Sequence, residues 1–227
     1  MQFEAELDRV LPADLPRRDH VIRSTGRHLE LIVEANRNFN LTRITSPREA
    51  AIKHVLDSIL PWRLFSGAKH ILDAGTGAGF PGIPLALVLP ETRFTLAESV
   101  QKKARFVDSV VKTLDLPNVE VAALRAEDVL RARDVDAIAA RALAPIRRAL
   151  EWIGPAIRAG AIALLYKGPD AETEMAEAAA EARKQRIGMR VAGRYELPDG
   201  LGSRTMVEIA SSPAAAGTQL RQVSPRR

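Results

Sequence analysis

The 227-residue chain contains no cysteine. Disulfides, thiolate metal sites and cysteine nucleophiles are therefore excluded, which fits a reducing cytoplasm. No apolar run approaches the ~20 residues of a membrane span. The opening stretch MQFEAELDRVLPADLP sets acids among its apolar residues and does not read as a signal peptide. There is no internal repeat. Charge of one sign is only mildly in excess: the formal net charge is +5, a lean toward a polyanionic partner that decides little alone. What is present is enough apolar residue, 46%, for a full-sized core. The length suits one α/β domain with an added segment.

Residues 1–66 read as a helical segment packed on the core of the chain. HVIRSTGRHLELIVEANRNF places Val21, Ile22, Leu29, Ile32 and Val33 at helical spacing, and PREAAIKHVLDSILPW does the same with Ile52, Val55, Leu56, Ile59 and Leu60. From residue 69 the texture changes to short aliphatic strands separated by helices. The strands are KHILDA, RFTLAE, VEVAAL, VDAIAA, AIALLYK, GMRVAGRYEL and SRTMVEIA. Such alternation predicts a Rossmann-like, mostly parallel sheet over 67–210 with helices on both faces. The last two strands have no helix between them and should form an antiparallel C-terminal hairpin. The tail over 211–227 lacks periodicity and is expected to be disordered.

The segment ILDAGTGAGFPGIP holds the first candidate site. In a doubly wound sheet ligands sit beyond the carboxyl ends of the strands, so the turn after KHILDA is the expected place. Glycine there allows positive φ and close approach of a ligand, and the next helix would offer its unpaired N–H groups. A dinucleotide fingerprint from Gly75 would need glycine at position 80, where Phe80 stands. The pattern is instead D-x-G-x-G-x-G, the form seen in class I S-adenosylmethionine-dependent methyltransferases. Asp73 is then placed near the cofactor ammonium, directly or through water. Glu98, roughly 20 residues after Gly75, is placed to accept from both ribose hydroxyls. Ala126 and Glu127 in RAED could frame the adenine.

The methyl acceptor is read from what the fourth strand's exit lacks. No Asn/Asp-Pro-Pro-aromatic turn marks an exocyclic-amine enzyme, and a carbon-5 pyrimidine enzyme would need the missing cysteine. An acceptor already nucleophilic remains, and guanine N7, with its lone pair and no proton to remove, fits. Arg141 in ARALAP could orient cofactor or guanine O6, or simply pair with Asp73 or Glu98. His54 and Asp57 stand three apart on one helix face with Asn40 in the loop before. They are too few for a metal site, and an interhelical hydrogen bond is the plainer role for Asp57. His54 and Lys167 are possible RNA contacts. Arg43, Lys53, Lys102, Lys103 and Arg105 form either a basic rim or a solvated face.

Taken in order and spacing, NFNLTRI, KHVLDSI, DAGTGAGFPGIPLA, KKARF, RAED, ARALAP and LLYKG resemble the bacterial RsmG family, also called glucose-inhibited division protein B, across 20–210. The resemblance implies a cytoplasmic class I enzyme that places a methyl on N7 of one guanine in the 530 loop of 16S ribosomal RNA. It implies cofactor contacts at Gly75, Phe80, Ala126, Glu127 and Arg141, beside Asp73, Gly77 and Glu98 from the general fold. The second-strand acid departs from the family pattern, being Glu98 in ES where Asp is usual. The expected partner is 16S rRNA within the small subunit or an assembly intermediate, with the enzyme a monomer and no membrane involved. Rival readings are a methyltransferase of another acceptor, a dehydrogenase, and a non-catalytic RNA-binding assembly factor.

Overall fold

A computed structural model describes residues 2–37, 41–141 and 144–212. Asn40, the Ala142–Leu143 pair of ARALAP and most of the C-terminal tail lie outside the described residues.

The seven expected strands all form, each within a few residues of its aliphatic run. They are β1 (His70–Ala74), β2 (Arg93–Ala97), β3 (Val119–Ala122), β4 (Ala137–Arg141), β5 (Ile162–Lys167), β6 (Ile187–Glu196) and β7 (Ser203–Ser211). They make one sheet in the order β3-β2-β1-β4-β5-β7-β6. The first five pair in parallel, while β7 runs antiparallel to both β5 and β6. Helical crossovers α5 (Gly82–Val88), α6 (Gln101–Thr113), α7 (Ala126–Ala132) and α8 (Ile146–Arg158) connect the parallel strands, and α9 (Ala171–Lys184) leads into the hairpin.

Alternation along each strand sorts side chains between two cores. Ile71, Phe94, Ala137, Ala139 and Leu164 face one hydrophobic cluster; Leu72, Ile138, Ala140, Ala163 and Leu165 face the other. The N-terminal helices α1 (Gln2–Val10) and α2 (Arg18–Asn36) belong to the first cluster through Leu7, Leu29 and Ile32. They share it with α5 and α6 rather than enclosing a core of their own.

The helix after α2, over residues 47–59, is not uniform. It starts as α3 (Pro47–Ala50), passes into a π-helical turn over Ala51–Leu56, and returns to α geometry in α4 (Asp57–Ile59). Ile52, Val55, Leu56 and Ile59 are buried as the periodicity predicted. The π turn lengthens the hydrogen-bond step by one residue, so the backbone N–H of Asp57 donates to Ile52 O. Lys53 O thereby loses the donor it would have in an α-helix, and such π turns are frequent at functional sites.

Candidate active site

The strand order reverses between β1 and β4, and the turns leaving those two strands carry the glycine motif and Arg141. That crevice is where an open α/β sheet binds ligands. Gly75, Gly77 and Gly79 have φ of 74°, 61° and 102°, so each alternate position needs glycine. The N–H groups of Gly75 and Thr76 both donate to Ala97 O at 3.0 Å, which ties the turn to the end of β2.

Asp73 is fully buried beneath this turn. Its Oδ2 accepts the Gly82 N–H at 2.8 Å, and the Ile83 N–H donates to Gly79 O at 2.9 Å. The start of α5 is thus capped from within, which corrects the expectation that its N–H groups are offered to a ligand. Asp73 Oδ1 and Thr76 Oγ1 are buried with no hydrogen-bond partner among the described residues. Burial pushes the Asp73 carboxyl up to about 6; the nearby Thr76 hydroxyl, the Gly82 N–H and the charge of Arg141 pull against this, and Glu98 adds to it. The approach of α5 to β1 leaves no room at Gly82, where a Cβ would stand 2.2 Å from Leu96 Cδ2 and 2.7 Å from Asp73 Oδ2. Gly82→Ala is therefore expected to lower stability by about 2 kcal/mol, measured as an earlier midpoint in denaturant.

Glu98, also buried, joins two loops. Its Oε2 accepts from Gly77 N–H at 3.1 Å and its Oε1 from Val100 N–H at 2.8 Å. Each oxygen keeps a second lone pair for a ligand hydroxyl. Beside it lies a cavity of about 470 Å³ whose lining includes Gly75, Glu98, Ala126 and Glu127, four of the expected cofactor residues. The same cavity takes Arg148 and Trp152 from α8, which sequence reading missed. Their i, i+4 spacing on the helix after β4 was the available signal.

Arg141 and Phe80 belong to a second, adjoining cluster. Phe80 is buried between two histidine rings, His28 at 4.7 Å and 23°, and His54 at 4.7 Å and 8°, with the Arg141 guanidinium carbon 5.4 Å from its centroid. Its side chain packs the N-terminal helices onto the glycine turn. The acid hydrogen-bonded to Arg141 is neither Asp73 nor Glu98, as the sequence suggested, but Asp57, at 3.3 Å. The interhelical hydrogen bond read for Asp57 is corrected to a helix-to-sheet one: besides Arg141 on β4, its carboxylate takes Tyr195 Oη on β6 at 3.0 Å and Arg204 Nε on β7 at 3.1 Å.

The two residues read as RNA contacts are corrected by their burial. The His54 ring is 8% exposed, and its Nε2 shares a 3.1 Å hydrogen bond with Thr42 Oγ1. Burial, reinforced by Arg141 and His28, pushes its pKa down to about 3, so it is neutral near pH 7 and is no phosphate-binding cation. Lys167 is 7% exposed, and its Nζ donates to Glu174 Oε2 at 2.7 Å and to Ala144 O at 3.1 Å. It fastens α9 to the exit of β5 instead. Of the basic rim, Lys53 pairs with Glu49 at 2.9 Å, while Arg43 and Arg105 are exposed.

Residues 22–192 match the GidB family, described as rRNA small subunit methyltransferase G. The chain is 65% identical over 209 residues to Ribosomal RNA small subunit methyltransferase G of Solibacter usitatus (strain Ellin6076), covering 92% of this chain and 100% of that protein. The protein of the same name from Leuconostoc citreum (strain KM20) is 35% identical over 208 residues, 88% of this chain and 87% of its own length. Among solved structures, an O-methyltransferase from Bacillus cereus in complex with SAH superposes with a TM-score of 0.58 at 18% identity, over 92% of this chain and 96% of that one. This last likeness concerns the fold.

Proposed function

Because the chain belongs to the GidB family of rRNA small subunit methyltransferases G, we propose that it transfers a methyl group from S-adenosylmethionine to N7 of one guanine in the 530 loop of 16S ribosomal RNA. It acts in the cytoplasm, as a monomer, on RNA within the small subunit or an assembly intermediate. Among the described residues no helix is long and apolar enough to cross a membrane. The observation that carries the reading is the meeting of the glycine turn, Glu98 and Glu127 in one cavity, with Arg141 closing the neighbouring strand.

The residues present suit the cofactor. Beneath the turn, Asp73 Oδ1 and the neighbouring Thr76 Oγ1 are buried without a hydrogen bond of good geometry among the described residues, which suits a polar or cationic group, and the sulfonium amino acid carries an ammonium. Glu98 holds spare lone pairs for ribose hydroxyls, and the cavity volume falls within the usual range for small-molecule sites. When bound, the cofactor supplies an electrophilic methyl group.

What this chain adds is positioning. Guanine N7 presents a lone pair and loses no proton, so no general base is required. His28 and His54 accord with this: burial lowers their pKa values to about 4 and about 3, and each is hydrogen-bonded within the protein. Among the described residues, Arg141 makes its hydrogen bonds through Nη1. Its Nε and Nη2, without a hydrogen bond among the described residues, would serve guanine O6 or the cofactor.

The test is labelled S-adenosylmethionine with unmethylated 16S RNA and with 30S particles, mapping product by N7-specific aniline cleavage. One cleavage in the 530 loop is the expected result. Intact cofactor binding with no transfer to either substrate overturns the acceptor assignment.

A further inference from the structure

We propose that Asp57, together with the π turn before it, positions Arg141 for methyl transfer, so that the N-terminal helices are part of the catalytic apparatus. The inference rests on the proposed role of Arg141 in orienting guanine or cofactor.

The geometry begins with the backbone. In an α-helix Lys53 O would accept the N–H of residue 57. Here that N–H goes to Ile52 O, so Lys53 O loses its α-helical donor. Arg141 Nη1 takes its place at 2.8 Å and also reaches His54 O at 3.4 Å. A π insertion is thus the source of the acceptor that holds the arginine. The next residue to act, Asp57, brings its carboxylate to the same Nη1 at 3.3 Å. Among the described residues Arg141 is anchored through this one nitrogen, which leaves its other donors for ligands. A planar fork fixed on one side presents the other side in a defined direction.

Asp57 is itself held. Its side chain is 1% exposed, and it accepts from Arg204 on β7 and from Tyr195 on β6 besides Arg141 on β4. A buried carboxylate between two guanidinium groups is tolerable because it is hydrogen-bonded on both oxygens and its negative charge is compensated. The hub therefore joins three parts of the chain: the N-terminal helix, the strand ending at the active site and the C-terminal hairpin. Arg204 and Tyr195 orient the acid, and the acid orients Arg141. None of the three need touch substrate.

Asp57→Asn separates positioning from mere folding. The amide keeps the size but turns one acceptor into a donor facing guanidinium donors, so Arg141 loses part of its anchor. Full-length wild type and variant are compared by kcat, KM for 30S particles, cofactor Kd, and the 15N–1H signal of Arg141 Nε. The expected result is a kcat about 10-fold lower with cofactor Kd within about twofold, and an Arg141 signal that becomes averaged. In the Arg141→Ala background the same substitution should cost no further activity, because residues acting as one unit are not additive. If Asp57→Asn fails to fold, Tyr195→Phe, which removes one neutral donor from the hub, should give a smaller kcat loss that also vanishes in that background.

An unchanged kcat with an intact Arg141 signal overturns the proposal. So does an equal loss with and without Arg141, which marks a structural hub only. A wild type that transfers no methyl fails the functional reading instead, and the Arg141 signal still decides whether Asp57 fixes the guanidinium.

Discussion

Arg141→Ala is expected to slow methyl transfer about 10²- to 10³-fold while leaving cofactor binding weakened far less. The effect is one of direction. Guanine N7 needs no base, so the barrier that remains is set by alignment of the lone pair with the methyl group, and a misplacement near 1 Å can cost about 10²-fold. Arg141 stands at the end of β4 with Nη1 fixed and its other donors without a partner among the described residues. It is the charged group at the reversal of strand order best placed to set that alignment. Alanine also strips Asp57 of one guanidinium, although Arg204 remains at 3.1 Å. Arg141→Lys distinguishes the two effects. It keeps the positive charge beside Asp57, so the fold should hold, but an ammonium lacks the fork that anchors on one side and presents donors on the other. A loss of about 10-fold or more with lysine, in single-turnover assays and with a near-native melting point, indicates geometry rather than charge. Full activity in the lysine variant sinks the positioning role.

The contrast between what the sequence disclosed and what it hid comes from chain distance. The glycine turn was legible because positive φ at Gly75, Gly77 and Gly79 restricts residue identity. The strands β1, β2, β4 and β5 were legible because each is a largely buried aliphatic run bounded by turn residues. Glu98 was legible because a fixed βα unit sets its spacing from the turn. The environment of Arg141 was not, since its partner Asp57 is 84 residues away and the hub is completed by Tyr195 and Arg204, at 138 and 147 residues from Asp57. The π turn has no residue signature: PREAAIKHVLDSI carries the periodicity of a continuous helix, and tertiary hydrogen bonds from Arg141 stabilise the extra residue in the step. His54 and Lys167 misled for a related reason. Residue type predicts affinity for phosphate only at the surface, and both are buried against internal partners.

Asp73→Asn should move cofactor affinity and stability in opposite directions. The Asp73 carboxyl is raised from 3.8 to about 6, with burial the main cause. Between those values the native state holds a proton that the unfolded chain has already lost. Stability from this group is therefore greatest at low pH, falls as pH rises through about 6, and is lower by about 3 kcal/mol at neutral pH. Asparagine removes that penalty, and its side-chain oxygen can still accept the Gly82 N–H. After allowance for an amide that must find its own partners, the apo variant is expected to gain about 1–2 kcal/mol at pH 7.5. Its melting point should then depend less on pH between 4 and 6. Oδ1, which has no hydrogen bond of good geometry among the described residues, is the acceptor a bound ammonium would use, and loss of that charge-assisted contact should weaken cofactor binding about 30- to 100-fold. In the wild type, affinity should fall as pH drops below about 6, because protonation of Asp73 competes with the ammonium, and this dependence should vanish in the variant. Calorimetric titration across pH 5–8 reads both effects. Equal affinities, with the same pH profile for the two proteins, would leave Asp73 as a cap for α5 and nothing more; a stable variant that has lost its cofactor shows a carboxylate kept at the expense of the fold because the ligand requires it.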